Sequence, residues 1–300
     1  SHMKQREAAM SLNTSFQNIG LIAKPEGKKS QNEALGVLTK LLKDHKKRVF
    51  CEQNAAHMLK LSDSFTFTEM ANEVDLAIVV GGDGTLLHAA RNLVDKEVPV
   101  LGINLGRLGF LVDISPSDIG KIMVEVLSGN YKEDHRCLLE CQVGDKKPQI
   151  ALNDVVFHKW NVARMIEFET WINGSFLDTQ RSDGIIVSTP TGSTAYALSG
   201  GGPLLSPELE VMSIVPICPH TLSNRPIVIS GGSNVSFSVC GKTKSENVQV
   251  TCDGQVSMKI NDGDKVKVSL YEKSLRLLHP PQYDHFQIIR AKLGWGGQQS

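Results

Sequence analysis

The hydrophobic pattern of this 300-residue chain changes character once, near Asp134, and that change constrains the fold more than any other feature. Before it, short apolar runs alternate with stretches of helical period. Ile19-Gly20-Leu21-Ile22-Ala23 reads as a buried strand stopped by Lys24-Pro25, and Ala34, Leu35, Val37, Leu38, Leu41 and Leu42 line one face of a helix. Val49-Phe50, 74–80 and 98–103 read as further strands, with helices over 86–93 and 116–127 and Ser115 as N-cap of the last. Strands alternating with helices require a parallel sheet whose faces are covered. After Asp134, β-rich runs follow one another at 150–152, 155–157, 165–172, 184–188, 227–229, 235–239, 248–251 and 266–270. Asn173-Gly174, Gly231-Gly232, Asp253-Gly254 and Asp262-Gly263 separate them as turns, and one helix starts near Ser193. The expected fold is an α/β N-terminal domain with a Rossmann-like parallel sheet, followed by a β-rich C-terminal domain. The boundaries read as a tag remnant and disordered N-terminus at 1–16, the α/β domain at 17–133, the β-rich domain at 134–277 and a tail at 278–300.

Composition narrows the function classes. Lys plus Arg and Asp plus Glu both number 32, so the chain lacks the basic excess of a protein that coats nucleic acid or an anionic membrane. No run of 18 apolar residues appears. The six cysteines are scattered with no CxxC pair, which points to reduced thiols in a cytoplasmic protein and to no structural zinc or other protein-held metal. Ser1-His2-Met3 reads as an expression-tag remnant without a signal-peptide pattern.

Five segments could carry chemistry. Gly81-Gly82-Asp83-Gly84-Thr85 lies between a strand and a helix, where backbone N–H groups and a helix N-terminus face an anion and glycine lets main chain approach phosphate oxygens. Asp83 would repel that phosphate, unless it accepts a proton or holds a metal ion; the alternative is an aspartate that caps the helix. The pattern is neither GxGxxG, since Leu87 takes the last position, nor a P-loop, since Gly241-Lys242-Thr243 has Ser236 at the first glycine and reads as a surface turn. Asn104-Leu105-Gly106-Arg107-Leu108-Gly109-Phe110-Leu111 also follows a strand, with Arg107 either meeting phosphate or solvated. The third segment spans 183–203 and carries Ser188, Thr189, Thr191, Ser193 and Thr194 ahead of a helix start at Ala195. Those hydroxyls suit either a polar ligand or a capping loop. Asn153-Asp154 suits ribose hydroxyls or an adenine edge, or a plain turn, and His220 and Arg225 share a loop stiffened by Pro219 and Pro226.

Together GGDGTLL, NLGRLGFL, LNDVVFH, DGIIVSTPTGSTAYALSGGGP and PHTLSNRPIVI, in that order, resemble the bacterial NAD kinase family of the NAD kinase and diacylglycerol kinase-like superfamily. His279-Pro280 and Lys292-Leu293-Gly294-Trp295 resemble its C-terminal end, so the likeness runs from about Ile19 to Trp295. Two mild departures are Asn153-Asp154 in place of Asn-Glu and Ser199-Gly200-Gly201-Gly202-Pro203 in place of SAGGP. The resemblance implies transfer of the γ-phosphoryl group of ATP to the 2′-hydroxyl of the adenosine ribose of NAD, with Asp83 as general base. It implies a phosphate loop of Gly81, Gly82, Gly84 and Thr85. It implies NAD contacts from Asp83, Gly84, Asn153, Asp154, Arg181 and Asp183, and from Thr191, Thr194, Ala195, Tyr196, Ala197, Leu198 and Ser199. His88, Arg164 and Gln255 match positions that touch NAD in some relatives, and His220 would approach the pyrophosphate. A divalent ion, Mg²⁺, would arrive with ATP. A homotetramer or homodimer and a tail that returns to the first domain are also implied, while the donor stays open between ATP and inorganic polyphosphate. The rival readings are a diacylglycerol-type lipid kinase and a non-catalytic NAD sensor.

Overall fold

A computed structural model describes residues 16–25 and 29–296, organised as two compact units. The tag remnant therefore lies outside the described residues, but Phe16 does not. It is 4% exposed and its ring sits 5.7 Å from that of Tyr131, so ordered core begins inside the stretch expected to be disordered.

The first unit holds the described residues up to Ala89, with Val98–Glu133 and the chain from Leu277 onward. Its elements are β1 (Asn18–Ala23), α1 (Lys29–Asp44), β2 (Arg48–Cys51), α2 (Gln53–Met58), α3 (Phe67–Glu73), β3 (Leu76–Gly81), α4 (Asp83–Leu93), β4 (Val100–Asn104) and α5 (Ile119–Leu127). The strands run parallel in the order β2-β1-β3-β4. β3 and β4 are buried at every residue, as strands covered on both faces must be, so their carboxyl ends are the places where the chain can reach solvent. The glycine segments Gly81–Thr85 and Gly106–Gly109 leave from those two ends, which are adjacent because Gly81 pairs with Asn104. The expected N-cap at Ser115 is corrected: its hydroxyl bonds that of Ser117 at 3.0 Å, and a 3₁₀ turn (Pro116–Asp118) precedes α5. Leucine, isoleucine and valine side chains of α1, α5 and the sheet form one core.

The second unit contains Ala90–Glu97 and Asp134–Arg276. The end of α4 thus belongs with the β-rich part, a boundary not foreseen from sequence. Its strands are β5 (Lys132–Val143), β6 (Gln149–Ala151), β7 (Asp154–Lys159), β8 (Ile166–Ile172), β9 (Ser175–Ser182), β10 (Gly184–Ser188), β11 (Val211–Ile217), β12 (Ile227–Ser230), β13 (Val235–Val239), β14 (Val248–Cys252), β15 (Val256–Lys259) and β16 (Val266–His279), with the short helix α6 (Tyr196–Ser199). Asn173 and Gly174 adopt φ 52° and 77° and close the β8–β9 hairpin, the left-handed pair that an Asn-Gly turn supplies. One antiparallel sheet orders β12-β11-β10-β7-β14-β15, and β13 pairs antiparallel with β8 and with the start of β16. Phe157, Phe168 and Phe237 pack with centroids 5.0–6.2 Å apart at the centre of this unit's core. The last residues of β16, Leu277 and Leu278, pair parallel with Val100 and Leu101 of the first unit's sheet, and α7 (His285–Leu293) follows there.

Candidate active site

In the first unit, Asp83 is the first residue of α4, but its carboxylate turns to the neighbouring loop. Oδ2 accepts from Phe110 N–H at 3.0 Å, and Oδ1 accepts from Leu111 N–H at 3.0 Å and Val112 N–H at 3.3 Å. These bonds exist because the ends of β3 and β4 are adjacent and because Gly109 has no side chain. A Cβ built on Gly109 would lie 2.3 Å from Asp83 Oδ1. A carboxylate has about four acceptor positions, so three donors leave one, on Oδ2. The carboxylate is thus held by the 110–112 backbone instead of capping its own helix. Gly82 and Gly84 are exposed beside it at the N-terminus of α4, while Gly81 ends β3 and packs against Thr85. His88 is on the same helix, its ring edge-on to Phe67 at 5.1 Å.

In the second unit, a cleft of about 510 Å³ is lined by Asn153, Asp154, Asp183, Ala195 and Tyr196 among the expected contacts. It is also lined by Lys159, Thr251 and Asp253, which sequence reasoning missed. Lys159 Nζ lies 2.9 Å from Asp183, both about 30% exposed, so the expected acid arrives already paired with a cation. The Ser/Thr run supplies the wall through bonds to its own and neighbouring backbone. Ser188, Thr189 and Ser193 are buried, and their hydroxyls bond the chain's own carbonyls. Thr189 Oγ1 donates to Leu152 O at 2.5 Å and to Asn153 O at 3.2 Å, and Ser193 Oγ to Pro190 O at 2.6 Å. A Cβ on Gly192 would stand 2.0 Å from Asn153 O, so only glycine admits this close wrap. The helix expected from Ala195 is instead a 3₁₀ turn (Thr191–Thr194) followed by the four-residue α6. The hydroxyl run therefore shapes the Asn153 turn, and among 191–199 only Ala195 and Tyr196 line the cleft.

The other expected contacts stand elsewhere. Thr191 is buried and accepts from Arg136 at 3.2 Å, and Thr194 donates to Thr191 O at 3.3 Å. Ala197 is buried with Val156, Ile186 and Val215, Leu198 is half-buried and Ser199 exposed. Arg164 is exposed between β7 and β8, and Arg181 is exposed 3.6 Å from Glu167. His220 is exposed on its loop, tied by its backbone N–H to Arg181 O at 2.9 Å. Gln255 is exposed, its amide oxygen taking a 2.7 Å bond from Arg91. Arg107 is solvated, and Gly241-Lys242-Thr243 is a turn in which Thr243 Oγ1 accepts from Glu167 N–H at 2.8 Å.

Burial pushes the Asp154 carboxyl up to about 7, and the nearby charge of Asp253 adds to the rise. The folded chain therefore holds a proton there that the unfolded chain releases near 3.8, so stability is lost as pH rises from about 4 through 7. Asp154→Asn, which cannot ionise, is expected to be more stable than the parent at pH 8, by an amount on the order of 4 kcal/mol at most, with the gap narrowing in acid. Thermal unfolding of both proteins from pH 5 to 8 checks this, and parallel curves would refute it.

Family models describe the two parts of the chain: residues 19–131 match the ATP-NAD kinase N-terminal domain and residues 152–279 the ATP-NAD kinase C-terminal domain. The chain is 44% identical over 293 residues to the NAD kinase of Aeromonas salmonicida, covering 96% of this chain and 99% of that protein. It is 50% identical over 238 residues to the NAD kinase of Nitrosococcus oceani, covering 78% and 81%. Among solved structures, yeast NADH kinase complexed with NADH superposes with a TM-score of 0.86 at 28% identity, over 96% of this chain and 90% of that one. An NAD kinase from Archaeoglobus fulgidus in complex with ATP shares the fold at a TM-score of 0.76 and 24% identity, over 94% and 100%.

Proposed function

This chain belongs to the NAD kinase family, and from that premise we propose that it transfers the γ-phosphoryl group of ATP to the 2′-hydroxyl of the adenosine ribose of NAD, with Asp83 accepting the hydroxyl proton. The observation that carries the assignment is the Asp83 carboxylate, held by three backbone N–H groups with one acceptor position left on Oδ2. In this reading the ribose oxygen forms a bond to the γ-phosphorus as the bond to ADP breaks, and the proton passes to Oδ2. A loose transition state develops little negative charge on the attacking oxygen, so the proton moves late and a carboxylate suffices. Catalysis then rests on positioning and on neutralising the phosphates. The exposed glycine main chain at Gly82 and Gly84, at the N-terminus of α4, lets a phosphate group come close to the backbone. The second unit's cleft receives the dinucleotide, with Asn153, Asp154, Asp183, Ala195 and Tyr196 against it. Arg164, Arg181, His220 and Gln255 are exposed and complete the proposed contact set by side-chain movement on binding.

Among the described residues, no group of three or more His, Cys, Asp or Glu side chains is placed to hold a metal ion. In the proposed reaction the divalent ion arrives with ATP, bound through its phosphate oxygens. No helix of the described residues is long and apolar enough to cross a membrane, and the six cysteines are free thiols. The enzyme proposed here is cytoplasmic and homo-oligomeric. Incubation with NAD and Mg-ATP, coupled to glucose-6-phosphate dehydrogenase, is expected to report NADP formation. An absence of NADP with both ATP and polyphosphate as donor would overturn the reading.

A further inference from the structure

Asp253 was legible in sequence only as half of an Asp-Gly turn, yet it is among the most heavily bonded side chains of the second unit. It follows β14 with φ 54°, a left-handed conformation that aspartate tolerates better than most residues. Its side chain is 0% exposed, and that of Arg91, whose Nη1 lies 2.9 Å from Oδ2, is 7% exposed. Oδ2 also accepts from Leu152 N–H at 3.0 Å, and Oδ1 accepts from Asn153 N–H at 2.7 Å and Asp154 N–H at 3.2 Å. A return bond runs from Asp253 N–H to Asp154 O at 2.9 Å, and Arg91 Nη2 reaches Gln255 at 2.7 Å. Three consecutive backbone amides and one guanidinium thus fill the acceptor positions of a single carboxylate. A turn that points three N–H groups the same way has no other means here of satisfying them without water. This is not a surface ion pair, whose effect would be small: both charges are buried, and each depends on the other.

Resting on the function proposed above, we infer that Asp253, clamped by Arg91, is a positioning residue for the acceptor dinucleotide. It fixes the 152–154 turn so that Asn153 and Asp154 line the cleft, and it need not touch the nucleotide itself. The arrangement predicts a division between substrates: NAD depends on this turn, whereas ATP phosphates depend on the glycine loop of the other unit. Asp253→Asn keeps shape and backbone tolerance but loses one acceptor oxygen and the charge.

The test compares Asp253→Asn and Arg91→Met/Asp253→Asn with the parent, measuring KM for NAD, KM for ATP and NAD affinity by calorimetry. The double variant leaves no buried charge unpaired and serves where the single variant does not fold. The expected result is a KM for NAD raised at least about tenfold with KM for ATP changed less than about twofold, a transition-state or ground-state loss confined to one substrate. A folded variant with parental KM for NAD, or one in which both KM values rise equally, overturns the positioning role. Amide exchange on the unaltered protein decides the matter if neither variant folds. The N–H groups of Leu152, Asn153 and Asp154 are expected to be protected, and exchange at the rate of an exposed turn would overturn the proposal. A parent that binds NAD without forming NADP would fail the catalytic reading alone, because the comparison of NAD affinities still decides this one.

Discussion

Replacing Asp83 by asparagine is expected to lower kcat by about 10²–10⁴-fold, the range for a lost general base, with KM for NAD nearly unchanged. The amide is the same size and its oxygen can still accept from Leu111 and Val112, which keeps most of the loop's bonding. It cannot take a proton at Oδ2, where its NH₂ group faces the Phe110 N–H and leaves that one donor without its acceptor. The split between kcat and KM is the informative part. A residue that merely ordered the loop would change stability and both substrate constants together. One that acts on the attacking hydroxyl changes the chemical step alone. Steady-state kinetics with the NADP-coupled readout makes the measurement, and a kcat near the parental value would remove Asp83 from the mechanism.

Much of the architecture could be read from hydrophobic period, because both halves are built from elements whose burial is regular. β3 is apolar at all but its last residue and β10 nearly so, and both were found within two residues of their true ends. Several elements escaped: β11, VMSIVPI, although its apolar run is plain, and others because their pattern is masked. β5 reads KEDHRCLLECQV, with charges at its start that hide the alternation of its buried half. α3 is only seven residues long, although Thr66 and Glu69 form a capping box that a local reading could have used. The site divides along the same line. Glycine segments announced themselves by composition, so Gly81–Thr85, Gly106–Gly109 and the run around Gly192 were found. What each segment does was not legible, since that depends on partners far along the chain. Asp83 is held by residues 27–29 positions away, and Asp253 holds amides 99–101 positions away. The hydroxyl run stayed ambiguous for a related reason: side-chain composition cannot distinguish a hydroxyl offered to a ligand from one consumed by a neighbouring carbonyl.

Gly109→Ala is the sharper probe of how Asp83 works, because it leaves every catalytic group in place chemically and moves one of them. The added Cβ would lie 2.3 Å from Asp83 Oδ1 and 2.6 Å from Val112 Cγ2, both well inside contact distance. The loop cannot easily withdraw, since Gly109 N–H bonds Val112 O at 3.1 Å and Val112 backs onto Gly102, where a Cβ would meet Val112 Cα at 2.9 Å. The carboxylate is the softer partner and is expected to swing out of its three-donor cradle. A displacement of about 1 Å at a reacting group costs on the order of 10²-fold, so kcat should fall by about that factor while KM for NAD, which the proposed function assigns to the other unit's cleft, moves little. Overpacking should also destabilise the fold by about 1–3 kcal/mol, visible in thermal unfolding. Gly120→Ala separates the local effect from the general cost of an added methyl. It is the second residue of α5 with nothing within 4 Å of the new Cβ, and helices prefer alanine to glycine by up to roughly 1 kcal/mol. That variant should be as active as the parent and slightly more stable. If Gly109→Ala folds and turns over like Gly120→Ala, the exact seat of the Asp83 carboxylate does not matter, and neither the cradle nor its remaining acceptor position can be the source of the catalysis.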